Sequence, residues 1–397
     1  MASEATTQHS GRALLGLPED VSGVLPSQHL TRARDVGIID AGQLKILPES
    51  IQPASVDLRL GEVAYRIRCS FLPDRQPVSD KLKEFIDDEL DLRREGAVLE
   101  TNRPYLIQLA ESLELPADLR AKANPKSSTG RLDVFTRVIT DESFRFDEIK
   151  EGYRGPLYLE VVPLSFPVRV RQGLGLNQLR MSIGRTLLTD EEIRALHARE
   201  PLLLRDGRPV PDEQFITGNG LLVSLDLQGD ESGRVGYRAK SHVRPLDMAG
   251  IGAHDWQHYW EPVYREAGNR IVLEPGRFYL LLSEDAVRIP PALAAEMTAY
   301  DPTSGELRTH YAGFFDPGFG YEADGPPTGS RAALEVRAHD VPFMIEHGQR
   351  VCKLSFERMV EAPTRLYGRS IGSSYQGQVD TLGKHFRGAS STPPTLG

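Results

Sequence analysis

Hydrophobic residues occur along most of the chain in short runs that alternate with polar residues. Runs such as PVRVR at 167–171 and FYLLL at 278–282 are bounded by Gly, Pro, Asn or Asp. This pattern is typical of half-buried antiparallel strands joined by short turns. The pattern therefore predicts a mainly β protein.

The pattern of strands also occurs twice. The segment Gly96–Leu119 is repeated at Asn269–Leu293, so that Pro116 corresponds to Pro290. The offset between the copies, roughly 169 to 177 residues, is the length of one ordinary domain rather than of a solenoid unit. We therefore expect two mostly β copies of one domain.

A helix is predicted between the two copies. Thr189 and Glu192 have the spacing of a capping box, and the helical pattern after them ends before Pro201. This helix and the following RDGRPVPDE form a linker. The first forty residues and the last dozen are polar or small, and we expect them to be loosely held in places.

Charge and cysteine content narrow the class of protein. The 397 residues include 47 basic and 56 acidic side chains, a formal charge of -9, which argues against nonspecific binding to nucleic acid or to an anionic membrane. Cys69 and Cys352 are the only cysteines. The sequence contains no apolar stretch of about 18 residues, the length that a helix needs to span a bilayer. A cytoplasmic protein is expected.

A cluster of cations and hydroxyls lies in the first copy, in the segment KSSTGR. Lys126 and Arg131 supply positive charge, and Ser127 and Ser128 supply hydroxyl donors, a combination that suits a phosphate chain. The second copy has Thr303 in place of the lysine. An ordinary β-turn with exposed cations is an equally good interpretation of these residues alone. The segment is not a Walker A loop, because its lysine precedes its glycine.

An acidic residue interrupts one of the apolar strand patterns. Glu160 lies in GPLYLEVVPL, and the repeat matches it to Glu335 in RAALEVRAHD. Burial of a carboxylate costs several kcal/mol unless it is paired or its pKa rises. Glu160 is therefore a candidate for proton transfer, although an ion pair with an arginine across the sheet is the commoner explanation of such an acid.

Four segments together resemble the 2'-deoxycytidine 5'-triphosphate (dCTP) deaminase family of the dUTPase-like superfamily. They are QPASVDLRLG, KSSTGR, GYRGPLYLE and SSYQGQ, and the whole chain looks like a long, duplicated form. The resemblance implies two tandem β-barrel, jelly-roll-like domains with short helices. The implied organisation is an N-terminal extension (1–44), a first dCTP-deaminase-like barrel (45–186), a helical linker (187–214), a second such barrel (215–362) and a C-terminal tail (363–397).

The resemblance also assigns roles to individual residues. Glu160 matches the general acid/base, and Ser127 and Arg131 match residues that position the attacking water and bind the nucleotide. The other matched positions are substrate-binding: Lys126, Ser128, Thr140 (a backbone carbonyl near the water), Tyr153, Tyr375 and Gln378. A lysine that often precedes the tail tyrosine is Ser374 here.

The same resemblance implies the ligands and the assembly. The expected substrate is dCTP, converted to dUTP and ammonia, with Mg²⁺ accompanying the triphosphate and dTTP as a candidate inhibitor. A homo-oligomer with sites at domain or subunit interfaces is expected, and Arg137 and Arg145 are both candidates for the arginine donated across an interface. The second copy keeps Glu335 and FFDPGFG but lacks Ser-Ser-x-x-Arg. It is therefore expected to complete a site in the first copy or in another chain.

Two alternatives to this function stay open on the sequence, and a third, zinc-dependent deamination, does not. Zinc catalysis is rejected, because His-x-Glu with a later Pro-Cys-x-x-Cys is absent, and His254 and His258 have no evident third ligand. A dUTP diphosphatase, alone or combined with the deaminase, would use Asp147 in FDEIKEGYRG to activate water. A nucleotide-binding protein that has lost the reaction is the alternative from another class.

Overall fold

The repeated sequence forms two β-barrel halves, built mostly from antiparallel strands. The computed structural model describes residues 10–299, 307–309, 313–322, 328–338, 340–368, 371–378 and 380–388. The mainly β, dUTPase-like architecture predicted from the alternating pattern is confirmed. In the described part of the chain, no helix has the length and apolar character needed to cross a membrane.

The first barrel has its core sheet in the order β8-β10-β6-β3-β12-β7-β9. Its helices are α1 Gly11–Leu15, α2 Ser27–Asp35, α3 Val78–Leu82 and α4 Ser127–Gly130. Its strands are β1 Gly23–Val24, β2 Ile39–Asp40, β3 Val56–Ile67, β4 Ile86–Asp91, β5 Ala97–Leu99, β6 Tyr105–Glu114, β7 Leu119–Pro125, β8 Val134–Thr140, β9 Glu148–Ile149, β10 Arg154–Pro163, β11 Val168–Val170 and β12 Gly175–Ile183.

The second barrel follows the linker helix α5 Asp190–Arg199, which begins with the predicted capping box at Thr189. Its two main sheets contain the runs β14-β13-β20-β16-β18 and β15-β26-β21-β23. Its strands are β13 Leu203–Arg205, β14 Arg208–Pro209, β15 Leu221–Ser224, β16 Arg234–Ala239, β17 Leu246–Asp247, β18 Trp260–Tyr264, β19 Arg270–Leu273, β20 Phe278–Val287, β21 Leu293–Ala299, β22 Leu307–Thr309, β23 Gly313–Phe315, β24 Ser330–Ala338, β25 Phe343–Glu346 and β26 Arg350–Arg358.

Strand register shows that the two glutamates of the repeat are structurally equivalent. In the first barrel β10 pairs with β6, and Glu160 lies opposite Leu106. In the second barrel β24 pairs with β20, and Glu335 lies opposite Leu280. Because a one-residue slip would move each side chain to the other face of its sheet, the shared register gives both acids the same place in their barrels.

Part of the N-terminal extension belongs to the first barrel. Strand β1 pairs with β12, and Leu25 and Leu30 are fully buried in the first core. Residues 10–44 are therefore attached to the first barrel in part through buried apolar side chains.

The two barrels also share a hydrophobic core. Phe166 of the first barrel packs edge-on against Tyr259 and Trp260 of the second, with ring centroids 5.5 and 5.2 Å away. Phe278 belongs to the same buried cluster. Burial of large aromatic side chains is worth several kcal/mol, so this interface fixes the barrels relative to each other and defines the space between them.

Candidate active site

A cavity of about 320 Å³ lies where the two barrels and the C-terminal tail meet. This is within the size range of small-molecule sites. The first barrel contributes Asp57, Lys126, Ser127, Ser128 and Arg131 to its wall. The second barrel contributes Phe314, Phe315, Asp316 and Glu335, and the tail contributes Tyr375, Gln378 and Lys384.

The KSSTGR loop forms one side of the cavity and is held to the first barrel by its backbone. Lys126 N–H donates to the carbonyl of Leu176 at 2.9 Å, and the Thr129 hydroxyl donates to the same carbonyl at 2.8 Å. The Lys126 ammonium forms an ion pair with Asp57 at the cavity wall. The loop therefore presents its cations and hydroxyls from a fixed frame.

The tail holds Arg131 in place. The guanidinium of Arg131 donates to the Thr381 carbonyl at 3.1 Å and to Gln378 Oε1 at 2.6 Å. It also stacks on the Tyr375 ring, 3.7 Å from the centroid. Tyr375, Gln378 and Thr381 are thus part of the same site as the loop, although about 250 residues separate Thr381 from Arg131 in sequence.

Glu335 of the second barrel faces this loop directly. Its carboxylate lies against Gly130, where a Cβ atom would be 2.6 Å from Oε1 of Glu335. The side chain retains some solvent contact through the cavity that it lines. Burial raises the pKa of Glu335 well above its ordinary value, and the nearby Arg131 only partly offsets this effect. A carboxyl group whose pKa is raised holds a proton more readily than an ordinary carboxyl group and can act as an acid as well as a base.

Glu160, the residue to which the resemblance assigned acid/base chemistry, has a different environment. It lies opposite Arg137 on β8, and the guanidinium of Arg137 donates to its Oε1 at 2.5 Å. Arg137 also donates to Ser70 and stacks on Phe146. Glu160 is not among the residues that line the cavity. The geometry is that of an acid paired with an arginine across the sheet.

Two predicted substrate-binding residues of the first barrel likewise lie outside the cavity lining. Thr140 is buried at the end of β8. Tyr153 is buried, and its hydroxyl donates to the Pro156 carbonyl at 2.6 Å. The other predicted site residues do line the cavity: Lys126, Ser127, Ser128, Arg131, Tyr375 and Gln378. The second-copy counterpart of the loop, around Thr303, lies outside the described residues.

The residues considered for the alternative functions and for metal binding also lie outside the cavity lining. Asp147 accepts a hydrogen bond from Val138 N–H at 2.8 Å and is outside the cavity lining, and burial raises its pKa to about 7. Arg145 is exposed and pairs with Glu148. His254 and His258 bind to the Asp247 carbonyl and to Arg244 respectively. Among the described residues no three His, Cys, Asp or Glu side chains form a group suited to a metal.

Sequence reasoning missed the other charged residues of the wall. Asp57, Asp316 and Lys384 line the cavity but were not predicted. Asp316 lies in FFDPGFG, the segment that the second copy keeps, and this was the available signal. Arg180 of the first barrel reaches across to this segment, with its guanidinium 3.3 Å from Asp316 and 3.0 Å from Glu357.

Fold and site together define a dUTPase-like protein with paired barrels and, between them, a cavity lined by cationic, acidic and hydroxyl side chains. Residues 21–185 match the model of the 2'-deoxycytidine 5'-triphosphate deaminase N-terminal domain, and residues 189–386 match that of the C-terminal domain. The chain belongs to the 2'-deoxycytidine 5'-triphosphate deaminase family.

Individual relatives agree with this assignment. A solved structure described as the 2'-deoxycytidine 5'-triphosphate deaminase of Agrobacterium tumefaciens is 47% identical, with a TM-score of 0.79, and the match covers 85% of this chain and 99% of that one. The dCTP deaminase of Rhodospirillum rubrum is 28% identical over 199 residues, 49% of this chain and 94% of that protein. A protein of Methanosphaera stadtmanae named "dCTP deaminase, dUMP-forming" is 26% identical over 49% of this chain and 90% of its own length.

Proposed function

We propose that this protein is an enzyme that hydrolyses dCTP to dUTP and ammonia in the cavity between its two barrels. The observation that carries the proposal is the position of Glu335, a carboxyl group of raised pKa, against the Ser-Ser-x-x-Arg loop of the other barrel. Family membership supports the choice of substrate.

The loop side of the cavity suits the triphosphate. Lys126, Arg131 and the hydroxyls of Ser127 and Ser128 offer charge-assisted and neutral hydrogen bonds to phosphate oxygens. Magnesium arrives as part of the substrate, bound to the triphosphate. The carboxylates that could approach it are Asp57 and Asp316, and Oδ1 of Asp57 is buried without a hydrogen-bond partner among the described residues.

The acid/base work falls to Glu335 in this proposal. As a carboxylate it takes a proton from the attacking water while the oxygen adds to C4 of cytosine, and as a carboxylic acid it gives that proton to N3. It then transfers the proton of the new C4 hydroxyl to the amino group. Breakage of the C4–N bond releases ammonia and leaves the C4 carbonyl of uracil. One group can serve in both directions because burial raises its pKa and so makes the protonated form accessible as well as the carboxylate.

We assign this role to Glu335 rather than to its equivalent Glu160. The Glu160 carboxylate is already bound by Arg137 and does not line the cavity. Glu335 lines the cavity, and burial favours its protonated form. Glu335 is therefore the better placed of the two to accept and donate a proton at a bound nucleotide.

The proposed route uses no zinc. The two cysteines are unsuited to a zinc site, since Cys69 is exposed and Cys352 is buried within the second core. We further propose that dTTP, which shares the deoxyribose and triphosphate groups, competes for the same cavity. A cytoplasmic location and a homo-oligomer complete the proposal.

A four-substrate assay tests this function. Purified protein is incubated with Mg²⁺ and dCTP, dCMP, CTP or dUTP, and ammonia and pyrophosphate are both measured. We expect ammonia from dCTP and no pyrophosphate from dUTP. Ammonia from none of the cytosine nucleotides would contradict the proposal. Pyrophosphate as well would indicate a bifunctional enzyme, and would agree with the name "dCTP deaminase, dUMP-forming" that some relatives carry.

A further inference from the structure

Lys384 points to a phosphate-binding role that the sequence did not indicate. It lies in the C-terminal tail and lines the cavity together with Lys126 and Arg131. Its ammonium has no hydrogen bond or ion pair with any of the described residues. A partly buried ammonium without an acceptor costs free energy unless a ligand supplies one.

The charges around Lys384 favour an anion as that ligand. Burial and the nearby Lys126 both lower the pKa of Lys384, and Asp57 opposes this change. Asp57 is already paired with Lys126, so it does not neutralise both lysines. A group with several negative oxygens placed between the two ammonium groups would remove their repulsion and complete their hydrogen bonds.

The backbone on both sides of Lys384 is fixed rather than loose. Leu382 and Phe386 are buried in the core of the first barrel. The Lys384 carbonyl accepts a hydrogen bond from Gly252 N–H at 2.9 Å, and the next carbonyl accepts one from His254 N–H at 3.0 Å. A cation held by a packed segment loses little conformational freedom when it binds a ligand.

We propose that Lys384 binds the phosphate chain of the substrate, as a third cation beside Lys126 and Arg131. The identity of the nucleotide in this inference rests on the proposed function. Binding of a polyphosphate group by Lys384 does not depend on that function. It assigns the tail a direct contact with the ligand in addition to its support of Arg131.

Binding of inorganic tripolyphosphate tests this role without any reaction. Calorimetry compares the wild-type chain with Lys384→Met, which removes the charge at similar length, and Lys384→Arg, which keeps it. Lys83→Met is the matched control, because the Lys83 side chain is 72% exposed and lies outside the cavity. Thermal unfolding of each variant confirms that it is folded.

We expect Lys384→Met to weaken tripolyphosphate binding by about 10- to 100-fold, equivalent to about 1.4 to 2.8 kcal/mol. Lys384→Arg is expected to stay within about threefold of the wild type, and Lys83→Met to be unchanged, because a guanidinium keeps the charge-assisted contact. Equal binding by folded Lys384→Met and wild type would overturn the inference. Lys384-dependent binding by a chain that releases no ammonia from dCTP would support this inference while refuting the proposed function.

Discussion

Replacement of Gly130 by alanine should impair catalysis while leaving the protein folded. The new methyl group would lie 2.6 Å from Oε1 of Glu335, whereas ordinary contacts begin at 3.4 Å. The carboxylate must therefore retreat by roughly 1 Å, a displacement that can cost about 100-fold in rate when it moves a catalytic group. The methyl group meets the end of a flexible side chain, so the structural cost is small.

The backbone conformation of Gly130 also suits alanine, so we expect the substitution to lower activity without lowering stability. Gly130 ends the short helix α4 and is not at a positive φ, so alanine fits its backbone and gains up to about 1 kcal/mol of helix propensity. Gly218→Ala is the control, since Gly218 has no neighbour within 4 Å of its missing Cβ and lies outside the cavity lining.

The assay measures kcat and KM for ammonia release from dCTP, with thermal unfolding in parallel. We expect kcat of Gly130→Ala to fall about 100-fold at an unchanged or slightly higher Tm, and Gly218→Ala to keep the wild-type kcat. Wild-type kcat in Gly130→Ala would show that contact between Glu335 and the loop is irrelevant to the reaction.

Three further outcomes are expected. Arg180→Met should lower the free energy of unfolding by about 3 to 5 kcal/mol in denaturant titrations, because it leaves the buried carboxylate of Asp316 and the partly buried one of Glu357 without their cation; a loss below about 1 kcal/mol would contradict this. Gln378→Leu should raise KM for dCTP about tenfold by freeing Arg131, with unchanged KM as the opposing result. Because the pKa of Asp147 is raised to about 7 in the folded chain, its stabilising contribution is complete below about pH 4 and is lost as pH rises through 7. Relative to Asp147→Asn, wild-type stability in urea should fall over that range, and parallel curves would refute the assignment.

The sequence predicted the barrels well because period-two patterning and the repeat report directly on strand faces. It also selected Ser127, Arg131, Tyr375 and Gln378, which form an ordered motif and which the fold brings to one cavity. It could not determine which glutamate meets the loop. Glu160 and its equivalent on β24 have the same register, and the difference between them lies in which barrel packs against which loop.

Two other features were also beyond reach of the sequence. Arg137, which neutralises Glu160, is recognisable only once β8 and β10 are known to pair at that register. Lys384 follows the tail motif by six residues and has no pattern of its own. Its role depends on Phe386 being buried in the first core, a contact between distant parts of the chain.

The central claim is that proton transfer belongs to Glu335 of the second barrel, acting across the interface on a nucleotide held by the first. Parallel measurement of ammonia release from dCTP by Glu335→Gln and Glu160→Gln tests it most directly, at a temperature where both are folded. We predict that Glu335→Gln loses about 10²- to 10⁴-fold in kcat while still binding dCTP, and that Glu160→Gln keeps a rate close to wild type. Undiminished activity in Glu335→Gln, or an equal loss in folded Glu160→Gln, would contradict the account.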